Sequence, residues 1–346
     1  MRYLLSIMKG QQKGFVAQLI TFLLLPCSLI YWFGVCCHQN YYRLRGPYKA
    51  SKPVISIGNI TLGGSGKTPL VIWLVRYLQA KGFNPVILTR GYMPKDAKES
   101  DEVKMLNEQI PHIPILVGGN RVANIRKTEG VLPVDVYICD DAFQHWPLQR
   151  DLNIVTIDVA NPFGSSYLLP AGILREPLSS LKRADVLILT KTEGSGHIQE
   201  LSSKLKEINP KALIIQSWYK SAGVKDVFDV LSIPENFLKD KRVVGFCAIG
   251  DPLSFELSVK NSGAELIKFF AYMDHHVYQA SDIKEMVDFC RSRQIQVLVT
   301  THKDAVKLRI FKNLFAEIHV VFIPIKLEIT KGADEFAQKI MSICLS

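Results

Sequence analysis

Residues 54–70 read VISIGNITLGGSGKTPL. The β-branched run at 54–57 predicts a buried strand; glycines follow at 63, 64 and 66, and Lys67-Thr68 opens a stretch with helical spacing. A strand, a glycine-rich turn and a helix that begins Lys-Thr together form a cradle for phosphates. Glycines let backbone N–H groups curl toward an anion, and the helix N-terminus adds positive potential. A lysine at this place reaches the β- and γ-phosphates, and a threonine hydroxyl ligates Mg²⁺. Thr61, Leu62, Gly63, Gly64, Ser65, Gly66, Lys67 and Thr68 are therefore the candidate nucleotide-binding residues, with Thr68 also a metal candidate. Pro69 is compatible with a first helical turn. Thr61 stands where the strict pattern G-x-x-x-x-G-K-[ST] has glycine.

Downstream, Leu70, Leu74, Val75 and Leu78 mark a helix over 69–80 closed by Gly82, and a strand over 86–89 runs into Arg90-Gly91-Tyr92. Such strand–helix–strand spacing predicts a parallel sheet covered on both faces, an α/β core of the P-loop NTPase type. A second buried-strand pattern at 134–139 ends in Asp140-Asp141, followed by Ala142-Phe143-Gln144-His145. Acids at the carboxyl end of a strand are where a phosphate-loop protein holds Mg²⁺, so Asp140 and Asp141 are candidate metal ligands. Strand-like runs at 153–159 and 185–190 flank a proline-bounded loop, 170–177, that carries Arg175 and Glu176. After a linker at about 229–240, runs at 243–249, 266–271, 297–301 and 320–325 alternate with helical patterns such as Ile283, Met286, Val287 and Cys290. The expected division is an N-terminal segment over 1–50, a P-loop core over 51–230 and a smaller α/β domain over 231–346.

The formal net charge is +10, and its distribution is uneven. Residues 1–95 contain twelve Lys and Arg and no acid, while the remainder holds 30 basic against 32 acidic residues. All of the excess is thus N-terminal, where it flanks an apolar run: residues 15–37 carry no charged side chain, with Lys9 and Lys13 before them and Arg43, Arg45 and Lys49 after. As a helix, 23 residues reach about 34 Å, the thickness of a hydrocarbon core. Pro26 interrupts the run, and Gly14, Gln18, Thr21 and Ser28 fall on one stripe, a face suited to resting on protein while the rest meets lipid. A basic segment fused to an apolar one predicts an anionic membrane surface as partner and excludes nucleic acid. Seven cysteines with no C-x-x-C spacing exclude a disulfide framework and a zinc site.

Taken in order, GNITLGGSGKTPL, LTRGY, SDEVKML, GGNRVANI, DDAFQH, PAGILREPL, DHHVY and THKDAVKL resemble the tetraacyldisaccharide 4′-kinases, the lipid A 4′-kinases of Gram-negative bacteria. The resemblance covers about residues 50–310. It implies transfer of the γ-phosphoryl group of ATP, with Mg²⁺, to the 4′-hydroxyl of an acylated disaccharide 1-phosphate, giving lipid IVA. It implies an enzyme on the cytoplasmic face of the bacterial inner membrane, peripheral or monotopic, with a C-terminal domain closing over the nucleotide. On matching motifs, Asp101 would take the hydroxyl proton, paired with His275; Glu176 would assist Asp140 and Asp141 at the metal; Gln144 would line the nucleotide site; and Arg90, Glu102 and Arg121 would face substrate. This chain departs from the family pattern at Ser100 and Val103 around the Asp-Glu pair, at Ala142 after the paired aspartates, and at His302 before Lys303-Asp304.

Two rival readings accompany this one. Thr190-Lys191-Thr192-Glu193 at a strand end resembles a guanine-specificity motif, which would make the chain a membrane-associated P-loop GTPase, although no D-x-x-G follows Asp140 or Asp141. The other rival is an ATP-dependent switch that recruits partners.

Overall fold

The computed structural model describes residues 2–91, 100–193, 196–229, 233–234, 236–274, 276–315 and 317–345. Two compact units emerge, one of Met1–Gly91, His112–Trp218 and Leu327–Ser346, the other of Tyr92–Pro111 and Tyr219–Lys326. Neither is continuous in sequence.

In the first unit the strands are β1 (Val54–Gly58), β2 (Pro85–Thr89), β3 (Ile115–Val117), β4 (Val136–Asp140), β5 (Leu152–Asp158), β6 (Val186–Thr190), β7 (Leu213–Ser221) and β13 (Ile325–Lys331); β7 and β13 run on past the unit boundary. Their order across the sheet is β13-β7-β6-β5-β1-β4-β2-β3, parallel from β7 to β3. Every residue of β1, β2, β4 and β6 is buried, as expected of strands covered on both faces. The register sets Ile57 beside Asp140 and Gly58 beside Val155. Because β1 feeds β2 on one side while β4 feeds β5 on the other, the order reverses at β1. The crevice at that reversal, beyond the carboxyl ends of the strands, is where ligands bind in open α/β sheets.

Helix α3 (Lys67–Ala80) buries Leu70, Leu74, Val75 and Leu78 on the sheet, as the spacing predicted. It is joined by α5 (Arg121–Thr128), α6 (Ile198–Ile208) and α11 (Ala333–Cys344). The C-terminal helix belongs to this unit for a visible reason: Phe336 is fully buried and stacks on Trp73 of α3 at 5.4 Å. The contacts therefore group 327–346 with the first sheet and 100–111 with the second unit, whereas the sequence division at residue 231 was contiguous.

Before β1 lie α1 (Arg2–Met8) and the 31-residue α2 (Phe15–Arg45). Ala17 and Ser28 are the buried residues of α2, with Thr21, Leu24, Tyr31, Val35 and Gln39 half-buried along the same face. Gly14 and Gln18, expected on the protein-facing stripe, are exposed. The observed stripe keeps Thr21 and Ser28 but runs through Ala17 in place of Gln18, and its hydrogen-bonding side chains meet the loop before Arg175. Ser28 Oγ donates to Leu168 O at 3.0 Å and accepts from Ala171 N at 3.1 Å, and Tyr31 Oη donates to Arg175 O at 2.9 Å. The rest of the helix is apolar and exposed, Phe15, Phe22, Leu23, Leu29, Ile30 and Phe33 among it. It is the one helix among the described residues long and apolar enough to cross a membrane.

The second unit has a five-stranded sheet in the order β10-β9-β11-β12-β8. Its strands are β8 (Lys225–Asp226), β9 (Arg242–Cys247), β10 (Glu265–Ala271), β11 (Val297–Thr301) and β12 (His319–Ile323), with only β8 antiparallel. Its helices are α4 (Asp101–Gln109), α7 (Pro252–Asn261), α8 (Ala280–Ser292), α9 (His302–Leu308) and the short α10 (Lys312–Phe315). Ile283, Met286, Val287 and Cys290 of α8 are buried, in line with their spacing.

Candidate active site

Asn59, fully buried at the end of β1, organises the glycine loop. Its amide Nδ2 donates to Thr61 O at 2.8 Å, its Oδ1 accepts from Lys67 Nζ at 3.1 Å, and its carbonyl accepts from Gln144 Nε2 at 2.9 Å. The sequence reading passed over Asn59, because a polar residue in a glycine loop looks like ordinary turn chemistry. Gly58 must be glycine: a Cβ there would lie 2.6 Å from Phe143 Cβ, so the chain after β4 passes directly against it. Gly63, at φ +110°, and Gly64 instead face open space, leaving their backbone free for a ligand. Ser65 is buried and hydrogen-bonds Thr156 at 2.8 Å, while the Thr190 hydroxyl donates to Ser65 O at 3.3 Å.

The second half of the site comes from the end of β4. Asp141 adopts a left-handed conformation (φ 47°) that turns its carboxylate to Lys67 Nζ, 3.3 Å away, and to Arg175 Nη1 at 3.0 and 3.1 Å. Burial alone would raise this carboxyl, but the two cations outweigh it and hold it below the ordinary carboxylate range. Arg121, buried at the start of α5, donates from Nη2 to the carbonyls of Asp140 and Asp141, the latter at 3.1 Å, and so fixes the turn. Arg175 was noticed in its loop without a role; its partner lies 34 residues away and no local pattern announces it. Two backbone bonds, Leu62 N to Ile173 O at 2.8 Å and Arg175 N to Ile60 O at 2.7 Å, strap that loop to the glycine loop.

Asp140 is buried and Thr68 half-buried at the helix start. Among the described residues no three or more His, Cys, Asp or Glu side chains gather as a metal cage. That donor set suits Mg²⁺, which is commonly held by one or two carboxylates together with substrate phosphates and water. Glu176, expected to assist at the metal, does not join Asp140 and Asp141 in such a group. Its buried carboxylate instead accepts from Arg183 Nη2 at 2.8 Å and Gln39 Nε2 at 3.0 Å. Gln144 keeps a buried Oε1 without a partner beside the loop. Arg90 is exposed at the end of β2.

The guanine-specificity reading fails on local chemistry. Lys191 is engaged by Asp158 at 2.6 Å and Thr190 by the glycine loop, so the segment braces the fold.

In the second unit, Ser100 caps α4 by accepting from Val103 N, which places Asp101 and Glu102 in the first turn. Lys307 Nζ stands 3.7 Å from Asp101 Oδ2 and 3.4 Å from Asp304 Oδ1, and donates to His276 O at 3.2 Å. One lysine thus gathers Asp101, Asp304 and the His276 carbonyl, a role that no spacing in the sequence disclosed. His275 itself lies outside the described residues. His276 Nε2 pairs with Asp282 at 2.8 Å, and its ring stacks on Tyr272 at 4.8 Å. His302, the departure from the family pattern, bridges Gln109 and Glu108 of α4, at 2.9 and 3.0 Å.

A parallel sheet whose strand order reverses at a glycine loop, with Lys-Thr opening the next helix and paired aspartates closing the adjacent strand, defines a P-loop protein of the nucleoside-triphosphate-handling class. Within that class the particular family is settled by comparison. The family model described as LpxK, tetraacyldisaccharide-1-P 4′-kinase, matches residues 20–344. A protein named tetraacyldisaccharide 4′-kinase from Halothermothrix orenii is 32% identical, covering 98% of this chain and 96% of its own length. Another of that name from Pasteurella multocida is 32% identical over 90% of this chain and 91% of its own. Among solved structures, LpxK from Aquifex aeolicus, crystallised as an "apo" form in complex with ATP, matches with a TM-score of 0.71 at 28% identity, covering 94% of this chain and 99% of that one. The chain belongs to the tetraacyldisaccharide-1-P 4′-kinase family.

Proposed function

We propose that this chain transfers the γ-phosphoryl group of ATP to the 4′-hydroxyl of a tetraacyldisaccharide 1-phosphate, a phosphotransfer to an alcohol in lipid A biosynthesis. The names of its relatives and the ATP complex of the Aquifex protein support the reactants. The observation that carries the reading is the Lys67–Asp141–Arg175 ion-pair chain beside the open backbone of Gly63 and Gly64. Phosphoryl transfer asks a protein for position and charge neutralisation rather than covalent chemistry. Lys67 supplies a positive charge aimed by Asn59 and Asp141, and the loop from Thr61 to Thr68 supplies backbone donors. Thr68 and Asp140, with Asp141 alongside, would hold Mg²⁺, which neutralises charge on the transferring phosphates. Gln144 steadies the loop through Asn59. Arg121 sets the turn that presents both aspartates, and Arg90 and Glu102 contact substrate.

A sugar hydroxyl is a weak nucleophile at neutral pH, so a carboxylate must receive its proton as the new bond forms. Asp101 takes that role, positioned by Lys307 and partnered by His275. The acceptor's acyl chains hold it in a bilayer at about 0.8 kcal/mol per buried CH₂, so the enzyme works at the membrane surface. The exposed apolar face of α2 between basic flanks supports a monotopic attachment on the cytoplasmic side of the inner membrane, with the opposite face of the helix resting on the protein.

The test is turnover of Mg·ATP and acylated disaccharide 1-phosphate by wild type and Asp101→Ala. The expected result is a loss of at least 100-fold in kcat with ATP binding retained. Undiminished turnover in the variant removes Asp101 from the proton-transfer step.

A further inference from the structure

Ser65 stands between Gly64 and Gly66 in the glycine loop, yet it is buried against the strands beneath. Two threonines, from β5 and β6, hold it there, and the reaction described above gives neither of them a task. The Thr156 hydroxyl lies 2.8 Å from Ser65 Oγ and 3.2 Å from Gly58 O. The Thr190 hydroxyl lies 3.3 Å from Ser65 O and 3.3 Å from Ile157 O. Both threonines are buried. A hydroxyl has one proton to give, and a carbonyl can only accept. Thr156 therefore donates to Gly58 O, and Ser65 must donate to Thr156. The Ser65 hydroxyl is thus committed inside the protein, with no proton left for a phosphate. Thr190 faces only carbonyls and divides its proton between Ser65 O and Ile157 O.

The loop that follows β1 is in this way clamped to two further strands. Strand β5 sets Val155 beside Gly58, and β6 sets Thr190 beside Asp158, where the Lys191–Asp158 ion pair at 2.6 Å ties the two strand ends together. The clamp decides the direction of one peptide group. In a trans peptide the C=O and the N–H point opposite ways, so with Ser65 O held by Thr190 the Gly66 N–H is aimed away from β6. Gly66 itself is left-handed, at φ +83°, and caps the start of α3 immediately before Lys67. Backbone donors at a helix N-terminus bind phosphate oxygens, and donors already aimed lose less freedom on binding than donors that must be ordered. Resting on the proposed reaction, we infer that Thr156 and Thr190 are positioning residues that preset the Ser65–Gly66 peptide for the β- and γ-phosphates of ATP. Thr190, which opens the segment resembling a guanine-specificity motif, thus serves the phosphate end of the nucleotide rather than its base.

The test measures the dissociation constant of Mg·ATP, together with KM for the lipid acceptor, on the full chain in detergent micelles. Wild type is compared with Thr156→Val, Thr156→Ser, Thr190→Val and Thr190→Ser. Valine keeps the volume and loses the hydroxyl, whereas serine keeps the hydroxyl. Both valine variants are expected to bind Mg·ATP about tenfold more weakly, and both serine variants to stay within about twofold of wild type, with the acceptor KM unchanged throughout. Ser65→Ala removes only the hydroxyl that donates to Thr156 and carries the test on that side, with the same expected loss, should Thr156→Val fold poorly. Undiminished affinity in either arm overturns the inference. So do equal losses in the serine and valine variants, or a rise in acceptor KM as large as the loss of ATP affinity, since both mark a packing role. Wild type that binds Mg·ATP but transfers nothing to the lipid counts instead against the proposed reaction, while the affinity ratios still decide the clamp.

Discussion

Gly58 and His145 show how single positions sustain the site. Adding one methyl group at Gly58 drives it into the Phe143 Cβ and amide nitrogen, at 2.6 and 2.7 Å, both anchored in the turn after β4. Gly58→Ala should lose about 1–3 kcal/mol of stability, read as a lower unfolding midpoint in detergent; an unchanged midpoint would mean that the turn yields freely. His145 has a buried Nε2 without a partner, and burial, then Arg121 and Arg150, depress its imidazole to about 4. Between that value and the ordinary 6.5 the unfolded chain binds the extra proton, so stability is complete above 6.5 and falls with pH down to about 4. His145→Gln should flatten that stretch of the stability profile, and an identical slope in the variant would relocate the titration. At this scale the glycine loop opening at Lys67-Thr68 and the strand end at Asp140-Asp141 were legible, because both are local patterns. Arg175 on Asp141 and Lys307 on Asp101 were hidden, since they pair residues that only the folded topology brings together.

At the scale of elements, β1, α3, β2, β4, β5 and β6 were legible from apolar runs and helical spacing, because a parallel sheet buries whole strands. Strand β13 was not separated from the second unit, as its alternation of exposed residues is that of a sheet edge and its partner strand β7 lies more than a hundred residues earlier. Helix α2 inverts the usual rule of reading. Most of its large apolar residues face outward, and the face on the protein mixes Leu24 and Val35 with Ala17, Thr21, Ser28, Tyr31 and Gln39, so polarity alone put Gly14 and Gln18 on the wrong side. Ser28 is the test of that docking. Ser28→Ala leaves the Ala171 N–H without its partner and should cost about 1–3 kcal/mol, with faster amide exchange through the middle of α2. Unaltered exchange and stability would show that the helix is held elsewhere.

For the molecule as a whole, the proposed function poses the physical problem of bringing a water-borne triphosphate and a bilayer-bound acceptor to one place. The chain meets it by docking an apolar helix through Ser28, Tyr31 and Gln39 onto the very loop whose Arg175 reaches the phosphate-loop aspartate. The apolar run and its basic flanks were readable in the sequence before any fold was known, while the discontinuous make-up of both units was not, since it depends on long-range contacts. The most direct measurement is the fate of the γ-phosphate in phospholipid vesicles carrying tetraacyldisaccharide 1-phosphate, followed with labelled ATP and a parallel count of ADP. The account predicts one labelled lipid for each ADP formed, and neither product above background in Lys67→Ala. ADP release with the label recovered only as inorganic phosphate, or lipid labelling that persists without Lys67, would contradict it.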